Sequence, residues 1–517
     1  MNISVLRYKQ GNDVVIIGAG MAGLAAALEL SHLGYRVHVI EQADKPGGKV
    51  RQVPSVSGPV DIGPTVLTMV HVLRDLFQAV GENLDDHIEL IRQKLLVRHW
   101  WADGTSLDLF DCHDSNLDSI QEVFGAAARR EYATFQRASA DLFDAFDRPM
   151  MQNPDPSFGA MNRVVLQNPS LISKIRPHQT LATYLSAQFS NPKLAQLFGR
   201  YATYVGGSPM NTPAMLSLIW QAEERGVWAI KGGMAKLAGA LERLAIGRGA
   251  KFSYKTRVEK IDILDGQTRG VFLENGEYIA ANFVVFNGDT RALALGHLGP
   301  DASAAITTSQ GEADRSLSAY VWGFAGKYSG PDLIHHNVFF ADRSNSEFDD
   351  IKRGIFPTDP TIYICAQDRG KNMSYPENER FEMIVNAAPA SQLAPNQEDF
   401  STCNEQVLKR LAQFGVTFET HLEHRNLTTP TQFAARFPGS DGSLYGPSPS
   451  GMLAALKKPK TQSRIAGLYL VGGGVHPGAG VPMVTLCARQ AVAKITNAPI
   501  STSTSHQMAT PGGISTA

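Results

Sequence analysis

A β-branched run, Val14 to Ile17, leads straight into Gly18-Ala-Gly20-Met-Ala-Gly23, and Leu24 to Leu33 continue with helical composition. Strand, G-x-G-x-x-G and helix in this order open a dinucleotide-binding βα unit. The three glycines have separate tasks. Gly18 makes the tight turn, Gly20 lets a pyrophosphate approach the backbone, and Gly23 lets helix and strand pack closely. The helix N-terminus then turns unpaired N–H groups and the positive end of its dipole toward the phosphates. Glu41 closes the second strand, 18 residues after Gly23, where it can accept hydrogen bonds from ribose hydroxyls.

The same segment admits an export reading, because Val14 to Leu28 follows a short leader carrying Arg7 and Lys9. That run is too short to span a bilayer, which takes about 20 residues. A cleaved signal has no use for the glycine spacing or for the Arg-Val-His-Val-Ile-Glu strand that follows. Mean hydropathy of −0.14 agrees with a soluble or peripheral protein.

A chain of 517 residues has room for about three domain-sized units. With 48 Lys plus Arg against 49 Asp plus Glu, it carries no excess charge to neutralise a phosphate backbone, so nucleic acid is not expected as a partner. Cys112, Cys365, Cys403 and Cys487 lie far apart without a CxxC pair. Neither a metal site nor a disulfide framework is expected, and a reducing, cytoplasmic setting fits.

The predicted fold is α/β. A Rossmann-type nucleotide-binding domain is assembled from residues 11–75, 246–290 and 463–496, and a mixed-sheet substrate domain from 76–148 and 291–462. A helical region that can face a membrane covers 149–245. Residues 1–10 read as a loose leader and 497–517, rich in Ser, Thr, Pro and Gly, as a disordered tail. Asp103-Gly104 and Asp265-Gly266 read as turns between strands. Leu194, Leu197, Phe198, Tyr201 and Val205 form an amphipathic stripe, either a helix packed on its own core or the wall of a tunnel.

Further glycine elements separate a flavin from a nicotinamide. Gly47-Gly48, Lys49 and Arg51 follow Glu41, and Asp61-Ile-Gly63-Pro64-Thr65 comes next. More than 400 residues later a strand enters Gly472-Gly473-Gly474-Val-His476-Pro477-Gly478-Ala-Gly480, ahead of a helix. Such an element can return to the first and direct helix N–H groups at the far end of a long cofactor. No second G-x-G-x-x-G follows a strand, so no NAD(P)H site is evident.

These motifs, together with Gly232-Gly233-Met234, resemble those of the bacterial-type carotenoid desaturases from about Asp13 to Ile495. His99-Trp100-Trp101, the stretch Leu194 to Pro209 and Pro438 to Pro447 resemble more closely one branch, the 1-hydroxycarotenoid 3,4-desaturases. The resemblance implies FAD and an acyclic hydroxycarotenoid substrate in spheroidene or spirilloxanthin-type pigment synthesis. It implies a peripheral place on the cytoplasmic face of the inner or intracytoplasmic membrane, with electrons passing to oxygen or a quinone. Carried over by motif, Gly18, Gly20, Gly23, Glu41, Gly48, Lys49 and Arg51 match nucleotide and flavin contacts. Val258 matches the position beside the adenine, and Gly473, Gly474 and Val481 match the isoalloxazine end. Some phytoene desaturases carry an acidic and basic pair early in the helical region. Arg163 matches the base, but Gly159 and Ala160 stand where the acid falls. The catalytic candidates are therefore Arg163 and His476, with no general base assigned.

A buried polar partner for the substrate hydroxyl can select hydroxylated ends, since leaving that partner unpaired is costly. Gln221, Asn211 and Tyr204 are candidates, and Trp220 and Trp228 can line a tunnel or pack in a core. The competing readings are phytoene desaturase, a carotenoid ketolase or isomerase, and a non-catalytic lipid escort on the same fold.

Overall fold

The first strand, Asp13–Ile17, has apolar side chains on both faces and sits at the centre of a five-stranded parallel sheet. Its neighbours are Arg36–Ile40 and Phe283–Phe286, and the edges are Lys251–Ser253 and Leu468–Leu470. Burial on both faces is what an all-parallel sheet demands, and the strand sequences are correspondingly rich in Val and Ile. The strands come from widely separated parts of the chain, so the nucleotide-binding unit is discontinuous, as expected for the class. The computed structural model describes residues 11–498 apart from 344, 371–374, 421 and 452–453. The leader 1–10 and the tail beyond residue 498 lie outside the described residues.

The first helix, Met21–His32, buries ten of its twelve residues, the mark of a helix enclosed in a core. It packs against the last helix, Val481–Thr496, where Arg489 approaches Glu29 at 3.8 Å. Helix Ala235–Gly247, grouped by sequence with the helical region, places Leu237, Ala238 and Leu241 in this same core.

A second sheet is mixed, as predicted. Its order is Thr417–Glu419, Ser318–Ser329, Glu379–Ala387, Ile362–Ala366, His336–Phe339, Leu95–Trp100, Ser106–Phe110. His336–Phe339 and Leu95–Trp100 run parallel, and their other neighbours antiparallel. Both Asp-Gly turns join antiparallel strands. At the second, Asp265 (φ 52°) and Gly266 (φ 73°) both adopt the left-handed region that a tight hairpin uses.

The helical region is built from His113–Phe146, broken at Gly125, and shorter helices that include Phe158–Gln167, Leu171–Ile175, Leu181–Gln188 and Pro192–Gly199. Leu194, Leu197, Phe198 and Tyr201 are fully buried against Trp220 and Phe135, so these four positions of the amphipathic stripe are core, while Val205 is half-buried. Among the described residues no helix is long and apolar enough to cross a membrane.

Candidate cofactor and active site

Gly18 follows the first strand with φ +100°, a conformation that L side chains rarely adopt. At Gly23 the constraint is space: a Cβ there would lie 2.1 Å from the Gly18 carbonyl oxygen. Gly20 has ordinary extended backbone, and no side chain caps the helix it begins. Glu41 is buried, and its two carboxylate oxygens accept from the Ala19 N–H at 2.6 Å and the Ala43 N–H at 2.7 Å. The backbone thus fixes the direction of the carboxylate, while each oxygen keeps a lone pair for a ribose hydroxyl. Thr256 N–H donates to the Glu41 carbonyl at 3.0 Å, which brings the buried Val258 close to the end of the second strand.

The second glycine pair lies on the first. Gly47 N–H donates to the Ala19 carbonyl at 2.8 Å, and a Cβ on Gly48 would sit 3.0 Å from Gly20 Cα. Lys49 and Arg51 turn toward the segment around 428–444. The Lys49 ammonium donates to the Leu444 carbonyl at 2.6 Å, and burial pulls its pKa down to about 8 against the opposing pull of Asp289. Arg51 donates to Thr428 Oγ1 at 3.2 Å and lies 5.5 Å over the Phe433 ring. Burial brings its pKa to about 10. Asp61 accepts the Met234 N–H at 2.7 Å. A Cβ on Gly233, whose φ is +92°, would fall 2.2 Å from Asp61 Oδ2. Two motifs some 170 residues apart therefore form a single contact.

The closing glycines return to the same place. Asn287 ends the strand Phe283–Phe286, and its Nδ2 donates to the Gly18 carbonyl at 3.2 Å. A Cβ on Gly472 would meet its Oδ1 at 3.3 Å. Asn287 thus joins the first and last glycine elements, which sequence reasoning missed; its only signal is a polar residue ending an apolar strand ahead of Gly288. Also missed is the buried ion pair of Asp289 with Arg315. Gly446 closes on Gly474, where a Cβ would come within 2.6 Å of Gly474 Cα. Lys458 Nζ lies 3.4 Å from the Gly473 carbonyl oxygen, its pKa drawn down to about 8 by burial. Val481 starts the last helix behind Gly480, again without a side-chain cap.

The other candidates separate. Arg163 is exposed on Phe158–Gln167, a helix that buries none of its residues. His476 Nε2 meets the Asn153 carbonyl oxygen at 3.0 Å, and burial pulls its pKa down to about 4. It is a neutral donor tying the closing glycines to the helical region. Gln221 uses its amide nitrogen to donate to Ser139 and Glu224 at 3.1 and 2.7 Å, and Asn211 is exposed. Tyr204 donates to the buried Glu223. Trp220 is core, and Trp228 lies under Arg92 at 5.5 Å. A buried group unforeseen from sequence, His335, His336 and Cys365, brings three ligand-type atoms within 4.8 Å of one another.

A side-chain-free cradle at Gly18, Gly20 and Gly48, an oriented acid at Glu41 and two uncapped helix N-termini fit an extended dinucleotide. The sequence profile of the flavin containing amine oxidoreductases matches residues 21–315. Cyclohexylamine oxidase from Brevibacterium oxydans shares the fold, with a TM-score of 0.58 at 16% identity over 94% of this chain and 100% of that one. Fold and site thus define an FAD-dependent oxidoreductase of the flavin containing amine oxidoreductase family. The hydroxyneurosporene desaturase of Cereibacter sphaeroides is 46% identical over 482 residues, 93% of this chain and 97% of its own. That of Rhodobacter capsulatus is 46% identical over 471 residues, 91% and 95% of the two chains. Within the wider family the chain belongs to the bacterial-type carotenoid desaturases.

Proposed function

We propose that the chain is an FAD-dependent 3,4-desaturase of acyclic 1-hydroxycarotenoids of the 1-hydroxyneurosporene or 1-hydroxylycopene type, working at a membrane surface and passing electrons on to oxygen or a quinone. The observation that carries this reading is 46% identity to two hydroxyneurosporene desaturases over more than nine-tenths of the chain. The intact glycine elements at both ends count against a non-catalytic lipid escort. FAD, when bound, supplies a two-electron acceptor for a C–H bond beside a polyene. Loss of hydride there leaves a cation delocalised along the conjugated chain, and a proton on the neighbouring carbon becomes acidic enough to pass to water. The demands on the protein are then positioning and exclusion of competitors. Gly18, Gly20, Gly48 and Glu41 would hold the nucleotide end, and the Gly472–Gly474 turn with Val481 would hold the reacting end. Lys458 places positive charge at the closing glycines, and Lys49 at the Ser443 and Leu444 carbonyls just before Gly446.

A C40 carotenoid has almost no aqueous concentration, so substrate must come from lipid. Phe158, Leu166 and Ile172 expose 52%, 80% and 55% of their surface, and exposed Arg163 lies among them on the same short helices. Apolar side chains next to a cation suit an anionic membrane surface. The test of function supplies 1-hydroxyneurosporene, phytoene and lycopene separately and follows the red shift from one added double bond. Turnover confined to the hydroxycarotenoid, without added NAD(P), is expected. Turnover of phytoene alone would transfer the reading to phytoene desaturase.

A further inference from the structure

Helix Pro192–Gly199 tightens into the 3-10 turn Arg200–Val205, and this turn connects two places. At its start Arg200 lines a cavity of about 830 Å³ whose walls include Trp101, Phe189, Pro209 and Phe340. At its far end Gly206 packs on Tyr445, where a Cβ would come within 2.6 Å of the ring. The next residue, Gly446, is the one that closes on Gly474. Six residues at a rise of about 2.0 Å span about 12 Å, so one short turn links the cavity wall to the segment that closes on Gly474.

Arg200 Nη2 donates to the Tyr204 hydroxyl at 3.3 Å, and the guanidinium lies 5.2 and 5.6 Å from the Tyr204 and Tyr201 ring centres. Its Nε is buried without a hydrogen-bond partner. Glu223, the carboxylate of this cluster, is engaged by the hydroxyls of Tyr201 and Tyr204, one on each oxygen. His99 and His336 are held neutral by burial, reinforced by the positive charge of Arg200. A buried guanidinium with an unpaired donor, on a residue that lines a cavity, calls for an oxygen ligand.

The substrate reading above places one there. The hydroxyl-bearing C1 is two carbon–carbon bonds, each about 1.5 Å, from C3. Its partner must therefore sit beside the reacting end of the cofactor and not at the distant end of a tunnel. We propose that Arg200, with Tyr204 beside it, receives the terminal hydroxyl of the substrate and sets the preference for hydroxylated carotenoids. An end group without the hydroxyl covers the guanidinium with methyl groups and strips its water without replacement. This assignment rests on the proposed substrate class.

The test compares kcat/KM for 1-hydroxyneurosporene and neurosporene in flavin-loaded wild type, Arg200→Leu and Tyr204→Phe. Arg200→Leu should lower the hydroxylated-to-unhydroxylated ratio about 100-fold or more, and Tyr204→Phe about 3- to 10-fold, with flavin content per chain as in wild type. Equal losses on both substrates, or ratios within about 2-fold of wild type, would overturn the assignment. If Arg200→Leu does not fold, Tyr204→Phe and Arg200→Lys decide by the same ratio. A wild type inactive on 1-hydroxyneurosporene overturns the substrate reading and this assignment together. An active wild type with an unmoved ratio overturns the assignment alone.

Discussion

Two glycines three residues apart should fail in different ways when given side chains. Gly20 has φ −70° and ψ 172°, a conformation open to any residue. A Cβ there meets the Nδ2 of Asn287 at 2.8 Å, the end of a side chain that can move. The fold tolerates the change, and what is lost is the approach of the pyrophosphate to the backbone. At Gly23 the obstacle is the Gly18 carbonyl oxygen, 2.1 Å from the added carbon. A carbon–oxygen contact needs about 3.3 Å, so helix and turn must part by roughly 1 Å. Overpacking of this kind costs about 1–3 kcal/mol, which in a domain of this size lowers the melting temperature by about 2–10 °C. The assay is the flavin-to-protein absorbance ratio together with the melting of each apoprotein. Gly20→Val should be a colourless protein whose apo form melts within about 2 °C of wild-type apoprotein, whereas Gly23→Ala should melt lower even without cofactor. Stoichiometric FAD in Gly20→Val, or an unchanged apo melt in Gly23→Ala, would refute the reasoning.

The depressed pKa of His476 makes a pH prediction with a definite sign. Between its ordinary value of 6.5 and about 4, the unfolded chain binds a proton that the native imidazole refuses, so this group costs stability as pH falls through that window, up to about 3 kcal/mol. Urea unfolding of wild type and His476→Gln at pH 7 and pH 4.5 checks it, and an identical acid loss in both proteins would contradict it. For membrane docking, serine at Phe158, Leu166 and Ile172 together should remove about 1 kcal/mol per side chain and weaken co-flotation with anionic liposomes about 100-fold. Flavin content should be unaffected, and wild type that fails to float at low salt would reject docking.

The first βα turn was legible because its requirements are local. Strand, three glycines and helix are contiguous, and each glycine answers to a neighbour within the turn or to the ligand. The hairpin at Asp265-Gly266 was legible for the same reason, since both residues supply the backbone conformation it needs. The buried stripe from Leu194 to Tyr201 was visible as periodicity, but periodicity does not say what covers it, and only packing against Trp220 and Phe135 decided for core over tunnel wall.

Partnerships across the chain were decided by tertiary structure. Asn287 sits between Gly18 and Gly472 because the order of strands in the parallel sheet brings the ends of three strands to one edge, while Asp61 meets Gly233 and Met234, and Gly446 meets Gly474, across segments outside that sheet. Residue type alone could not rank Gln221, Asn211 and Tyr204 as polar partners for a substrate. The Gln221 amide nitrogen turned out to be engaged by Ser139 and Glu224, Asn211 to be exposed, and Tyr204 to stand beside a guanidinium whose Nε has no hydrogen-bond partner. A side chain's chemistry is written in the sequence, but whether its hydrogen bonds are already satisfied depends on atoms contributed by distant segments, and those are brought together only by the fold.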